Sequence, residues 1–197
     1  MSNPLQTIVF NQSQIQSAVA GVAQEVAAWL QSKQVKSFHL ISVMEGAKPF
    51  TRDLLAGLRK AVPEIQAEIH EIRIKGTDGT SLLETREWQE GQLDPAVLES
   101  SLVLIVDDLV DSGKTLKMLK KKVAALGVAE VKTAVLIRKF GSVSGPVDFL
   151  GFDLNLDHAA LVQKGLKDYW LYGYGMDLDN QCRDLDQIGW VEISTVQ

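Results

Sequence analysis

Residues 102–119 read LVLIVDDLVDSGKTLKML, and the succession of residue types in that run decides the fold. Five consecutive apolar residues, Leu102, Val103, Leu104, Ile105 and Val106, have the length and composition of a strand buried on both faces, as in the middle of a parallel sheet. Three carboxylates, Asp107, Asp108 and Asp111, stand at the end of that strand. Ser112, Gly113, Lys114 and Thr115 then lead into Leu116, Leu119, Val123 and Leu126, apolar positions at helical spacing. The order is strand, polar turn, helix. A helix N-terminus presents unpaired N–H groups and the positive end of the helix dipole, so it attracts anions, and carboxylates placed there would compete with them. The acids make chemical sense if they serve hydroxyls or a metal while the turn holds a phosphate.

Upstream, Ile15, Val19, Val22, Val26 and Leu30 follow Ser13 at three-to-four spacing, which predicts an amphipathic helix over 13–30 with Ser13 as N-cap. Its alanines and glycine suit close helix packing, for instance at a subunit interface. Residues 38–43 predict a strand; Glu45, Gly46 and Ala47 form a turn, and a helix runs over about 49–60 with Pro49 in its first turn. Residues 65–74, IQAEIHEIRI, alternate with a slip of phase near His70 and predict a half-exposed strand. Residues 75–93 carry three glycines and no sustained period, as a long functional or disordered loop would. Downstream, strands are predicted over 131–137, ending in Arg138 and Lys139, over 147–152 and over 169–174, with a short helix around 159–164. Alternating strands and helices argue for an α/β fold with a mostly parallel central sheet flanked by helices, whose ligands lie beyond the carboxyl ends of the strands. Residues 45–47, 107–115 and 138–140 all fall there.

The composition sets bounds on function. A chain of 197 residues with 46% hydrophobic content supports one buried core. A net charge of -5 argues against a large nucleic-acid surface. The start, MSNPLQTIVF, lacks the basic region and apolar core of a signal peptide, and no apolar run approaches the ~18 residues that span a bilayer, so a soluble cytoplasmic protein is expected. The lone Cys182 and the scattered His39, His70 and His158 show no ligand spacing in sequence, which argues against a structural zinc, and His39 on its apolar strand reads as a satisfied core residue.

Gly113, Lys114 and Thr115 end like a nucleotide-triphosphate P-loop, but that motif needs glycine five residues before Gly113, and Asp108 stands there. An acid does not belong inside a phosphate cradle. Apolar strand, Asp-Asp, two apolar residues, Asp-Ser-Gly-Lys-Thr and helix instead resembles the signature of type I phosphoribosyltransferases, which use phosphoribosyl pyrophosphate (PRPP). VKTAVLIRK at 131–139, DFLGF at 148–152 and WLYGYGMDLDNQCRDL at 170–185 are similar to segments of the hypoxanthine-guanine phosphoribosyltransferases. The resemblance covers most of residues 38–190.

That resemblance implies a single domain over 1–197, with a core of about 36–152 and a small hood formed by N-terminal residues and about 153–197. It implies transfer of phosphoribosyl from PRPP to hypoxanthine or guanine, with Mg2+ as cofactor and a homo-oligomer, dimer or tetramer. Asp107 and Asp108 would meet the ribose hydroxyls and the magnesium shell. Ser112, Gly113, Lys114 and Thr115 would hold the 5-phosphate, and Asp111 would be the acid/base beside purine N7. Lys139 would donate to the 6-oxo group, Trp170 would stack on the base and the Leu171 backbone would read its far edge. Asp177 would hold a second magnesium, and Arg183, with the Glu45–Gly46 turn, would meet the pyrophosphate.

Three departures stand out. Glu45 occupies a turn position where the family has a basic or neutral residue; it would point away, bind magnesium or weaken PRPP binding. Gly76 and Thr77 replace a Ser-Tyr pair in the long loop, and 153–168 exceeds the corresponding connection. These motivate two alternatives: a PRPP- or nucleotide-sensing regulator with weak catalysis, and a transferase for another base. Arg138 is as readily a surface residue as a neighbour of the purine.

Overall fold

A computed structural model describes residues 8–75, 87–88, 93–139, 147–154 and 169–192. The run 102–110 is the strand β5 (Leu102–Val110), flanked by β2 (Ser37–Met44) and β6 (Glu130–Arg138), each parallel to it. Beyond them lie β3 (Gln66–Lys75) and β7 (Phe149–Asp153), also parallel, and β4 (Glu87–Trp88) adds an antiparallel edge. The strand order is β4-β3-β2-β5-β6-β7.

Alternation along the central strands explains the layers. Leu104 and Val106 face one side with Phe38, Leu40 and Leu136, and there they meet α1 (Gln12–Ser32) and α2 (Lys48–Ala61). Val103 and Ile105 face the other side with Ile41, Ile72 and Val135, covered by α4 (Lys114–Ala124) and the short α3 (Pro95–Leu98). Both faces are dry, which is why β5 carries no polar alternation until Asp107. The buried Ser42 and Thr51 hydroxyls bond at 2.7 Å and pin α2 to β2. The Asp148 carboxylate accepts from the Thr133 amide and hydroxyl at 2.9 Å each and from Lys120 Nζ at 2.8 Å, tying α4 to the β6–β7 edge.

Several expectations change in detail. The cap of helix α1 lies two residues earlier than expected. Asn11, not Ser13, is its N-cap, accepting from the Gln14 amide at 3.0 Å while the Gln14 side chain accepts from the Asn11 amide. At one position its small residues serve internal packing: a Cβ on Gly57 of α2 would lie 2.7 Å from the Ala23 Cβ. The β2–β3 ladder runs unbroken from Ser37↔Gln66 to Met44↔Arg73, so no bulge accompanies the phase slip near His70. His39 is largely covered and satisfied, as expected, but by another histidine. Its Nδ1 lies 3.0 Å from His70 Nε2, and burial together with His39 lowers the His70 pKa. Arg138 pairs with Asp153 across β6 and β7 and is structural.

A second sheet went unforeseen at both ends of the chain. β1 (Ile8–Phe10), β9 (Ile188–Glu192) and β8 (Tyr169–Tyr172) form it in the order β1-β9-β8, antiparallel throughout. Phe10 stacks on Phe152 of β7 at 3.7 Å and fixes this small sheet beside the large one. The expected helix at 159–164, the 153–168 insertion beyond Leu154 and the Gly76–Thr77 position lie outside the described residues.

The revised cap is testable by urea unfolding. Asn11→Ala should cost about 1 kcal/mol, the usual worth of an N-cap side chain. Ser13→Ala should cost only a fraction of that.

Candidate active site

Parallel strands deliver their carboxyl ends to one edge, and a cavity of about 660 Å³ opens there. Its walls bring together residues far apart in sequence: Glu45 and Gly46 after β2, Asp107 to Gly113 and Thr115 at the β5–α4 junction, Lys139 after β6, and Trp170, Leu171, Asp177 and Arg183 from the second sheet and its following turns. Of the residues given a binding or catalytic role from sequence, Lys114 does not line it. Lys114 is the exposed first residue of α4, whose N-cap is Gly113 at φ 70° without a side-chain cap. The first turn of α4 contains no acid, so the N-terminal amides beside Ser112 and Thr115 keep their positive character.

Register explains the pairings that sequence distance hides. Val110 is the ladder partner of Arg138, so the residues that follow, Asp111 and Lys139, emerge side by side. The Lys139 amide donates to the Val110 carbonyl at 2.9 Å, and its Nζ stands 3.5 Å from Asp111 Oδ2 and 4.9 Å from the centre of the Tyr169 ring. The lysine is thus held between a carboxylate and an aromatic face. In the same way Met44↔Arg73 brings Arg73 to Glu45, and the two side chains form an ion pair. That hydrogen bond, with the nearby charges of Lys48 and Arg183, lowers the Glu45 pKa. Glu45 therefore carries its own counter-ion.

Asp107 is 7% exposed and accepts from the Asp108 amide at 3.1 Å; Asp108 in turn accepts from the Leu109 amide at 2.9 Å. Burial pushes the Asp108 carboxyl up, against these bonds, the neighbouring Asp107 and the charge of Arg183. Gly46 is the reason the acid fits, since a Cβ there would run into the Asp108 carboxylate. Gly175, at φ 98°, packs against the Gly46 carbonyl with equal closeness. The 173–175 turn is held from below by Tyr174, which donates to Asp53 at 2.7 Å, and from above by Arg183, whose guanidinium donates to the Gly175 carbonyl at 2.8 Å and to Asp177 Oδ1 at 2.9 Å. Trp170 is 45% exposed, which rules out a core role, and its indole N–H donates to the Asp177 carbonyl at 2.6 Å.

Residues 9–148 match the family described as "Phosphoribosyl transferase domain". The chain belongs to that family. Among relatives of this phosphoribosyltransferase, the hypoxanthine-guanine phosphoribosyltransferase of Dictyostelium discoideum is 26% identical over 184 residues, covering 92% of this chain and 93% of the relative. That of Mycobacterium tuberculosis is 27% identical over 194 residues, covering 95% and 87%. Among solved structures, the hypoxanthine phosphoribosyltransferase of Trypanosoma cruzi in complex with the product IMP superposes with a TM-score of 0.76 at 25% identity, covering 99% of this chain and 98% of that one.

Two residues of the site escaped sequence reasoning. Tyr169 read as one aromatic among several in a strand, and only the strand's orientation turns it under Lys139. Arg73 sat in an ambiguous alternation, and its partner became visible only through the β2–β3 register.

A carboxyl raised by burial binds its proton more tightly in the folded protein than in the unfolded one. Its ionisation therefore weakens the fold above its ordinary value of 3.8 and has no such effect below it. Asp108→Asn should raise the melting temperature of the ligand-free phosphoribosyltransferase at neutral pH, and the gain should fade as the pH falls below the ordinary carboxylate value. A lower melting temperature at neutral pH would show that the ionised acid is welcome in the fold. Gly46→Ala should act oppositely, destabilising by about 1–3 kcal/mol as an overpacking change does; chemical unfolding measures it.

Proposed function

We propose that the chain is a purine-salvage phosphoribosyltransferase, moving the 5-phosphoribosyl group of PRPP to hypoxanthine or guanine. The observation that carries this is the meeting of Asp111 and Lys139 at adjacent strand ends, in one cavity with the Ser112–Thr115 turn and the exposed Trp170 ring. The N-terminal amides of α4 and the Ser112 and Thr115 hydroxyls take the 5-phosphate. Asp107 and Asp108 accept hydrogen bonds from the ribose hydroxyls. The base lies against Trp170 with its far edge on the Leu171 backbone. Lys139 donates to the 6-oxo oxygen, a contact that adenine, with a 6-amino donor, cannot accept.

In the transfer, purine N9 bonds to the anomeric carbon while the bond from that carbon to the pyrophosphate oxygen breaks, its electron pair leaving with pyrophosphate. The imidazole proton of the purine passes from N7 to the Asp111 carboxylate. Arg183 and the Gly46 turn neutralise and orient the departing pyrophosphate, chiefly an electrostatic task. The Glu45–Arg73 pair keeps the glutamate from opposing the leaving group with an uncompensated charge, which removes the main reason to favour a catalytically weak regulator.

The donor set suits magnesium. Asp107 and Asp108 offer hard carboxylate oxygens to one ion and Asp177 to a second, and the desolvated Asp108 carboxyl would gain from a cation beside it. Bound magnesium would supply positive charge to the ribose hydroxyls and the pyrophosphate. Both Asp177 oxygens are engaged, one by Arg183 and one by the Asn180 amide at 3.1 Å, so Asp177 would take the second ion by exchanging a partner. We place the small sheet and the 173–187 turns as the hood of a single domain, and infer a cytoplasmic homo-oligomer. No helix among the described residues is long and apolar enough to cross a membrane.

Purified protein with PRPP and magnesium should turn over hypoxanthine and guanine but not adenine; no turnover with any 6-oxopurine would overturn the proposal. Asp111→Asn should lower kcat by about 10²–10⁴-fold, the usual contribution of acid-base catalysis, with PRPP binding largely kept. Turnover unaffected by that change would remove Asp111 from the chemistry. Lys139→Gln should instead narrow the discrimination between hypoxanthine and adenine, read as the ratio of their kcat/KM values.

A further inference from the structure

His39, Glu68 and His70 converge on the α4-side face of the large sheet, at the end of the strands away from the cavity. The parallel register pairs His39 with Glu68 and Ile41 with His70, so three residues on one face of two neighbouring strands point the same way. His39 Nδ1 and His70 Nε2 are 3.0 Å apart, Glu68 Oε2 is 3.8 Å from His39 Nδ1, and Glu68 Oε1 is 3.8 Å from His70 Nε2. The carboxylate straddles the imidazole pair. Each residue offers a donor atom, and these lie within 4.8 Å of one another.

A tetrahedral zinc with bonds of about 2.0–2.1 Å sets its donors roughly 3.4 Å apart. The nitrogens are slightly closer than that and each carboxylate oxygen slightly farther from its nearer nitrogen, with one donor atom per residue all within 4.8 Å, so rotations of three side chains suffice to close a site. The imidazoles are largely covered, with side chains 13% and 16% exposed, whereas Glu68 is 60% exposed. Two covered nitrogens and one solvent-facing oxygen leave the fourth position to water. Two imidazoles favour zinc and its neighbours over magnesium, which prefers oxygen donors.

The geometry points to a binding site for a divalent transition-metal ion of the zinc class, formed by His39, Glu68 and His70 and separate from the phosphoribosyl-transfer site. The ion clamps β2 to β3. His39 is five residues before Met44, roughly 16 Å at about 3.3 Å per residue, so the ion stabilises the sheet without reaching the reacting atoms. It braces the two strands that carry Glu45 and Arg73 to the cavity.

The test uses chelator-treated, full-length protein titrated with Zn2+ by calorimetry, and with Co2+ as a visible-absorbing substitute. One equivalent should bind with a submicromolar Kd, unmoved by excess Mg2+, and Co2+ should give the intense visible bands of a tetrahedral site. Zn2+ should raise the melting temperature. His70→Gln keeps a hydrogen-bonding group opposite His39 but is a poor ligand, and the exposed Glu68→Gln removes the charge without disturbing the core. Each should weaken Zn2+ by about tenfold or more, since losing even a residue that merely orients a ligand costs that much. Glu68→Gln should leave phosphoribosyl transfer in magnesium unchanged. Binding weaker than about 10 μM, or binding that both variants leave intact, would overturn the site, the latter by placing the ion on the carboxylates of the cavity or on Cys182. In that case the histidines form only an inter-imidazole hydrogen bond.

Discussion

Asp108, Gly46 and Gly175 touch backbone to side chain and backbone to backbone, with no room for a Cβ at either glycine. Through that contact the end of β5, the turn before α2 and the turn after β8 become one wall. Everything the cavity does depends on it, because the acids come from the large sheet while Trp170, Asp177 and Arg183 come from the small one. Tyr174 fastens the same turn to α2 through Asp53, and the Ser42–Thr51 hydrogen bond fastens α2 to β2. A carboxylate held this tightly is fixed in place, and desolvation raises its pKa despite the hydrogen bonds it accepts.

The charges of the site are distributed in pairs rather than pooled. Lys139 faces Asp111, Arg183 faces Asp177, and Arg73 faces Glu45. Each pair is partly exposed, which keeps it weak enough to exchange partners. Asp107 and the half-buried Asp108 lie deeper, and there desolvation holds the Asp108 carboxyl up despite its hydrogen bonds and the charge of Arg183. The Glu45 turn follows the same pattern, its carboxylate compensated by an arginine that β3 supplies in register beside it.

Much of this was legible in the chain. The unbroken apolar run of β5 announced a strand buried on both faces, because only such a strand needs no polar alternation, and the acids followed by Ser-Gly-Lys-Thr announced the turn and helix. Those are local features, within a dozen residues. The short strands β1 and β9 were not legible: three and five residues carry too little period to be told from loop, and each acquires its conformation from the other. Asn11 was missed as the cap since Ser13 offered an equally good side chain two residues later, and only the reciprocal bond with Gln14 distinguishes them.

The sequence by itself determined the strand-turn-helix around residues 102–119, the class of the fold and the residue types that face the cavity. Tertiary structure decided which of those residues meet. Parallel pairing joins Asp111 to Lys139, Glu45 to Arg73 and His39 to His70, and separations of that kind, about thirty residues, are the length of one strand-helix crossover. A shift of the register by one residue would turn each partner to the opposite face of the sheet. Burial of both faces fixes that register, and burial is a property of the assembled sheet that no single strand carries.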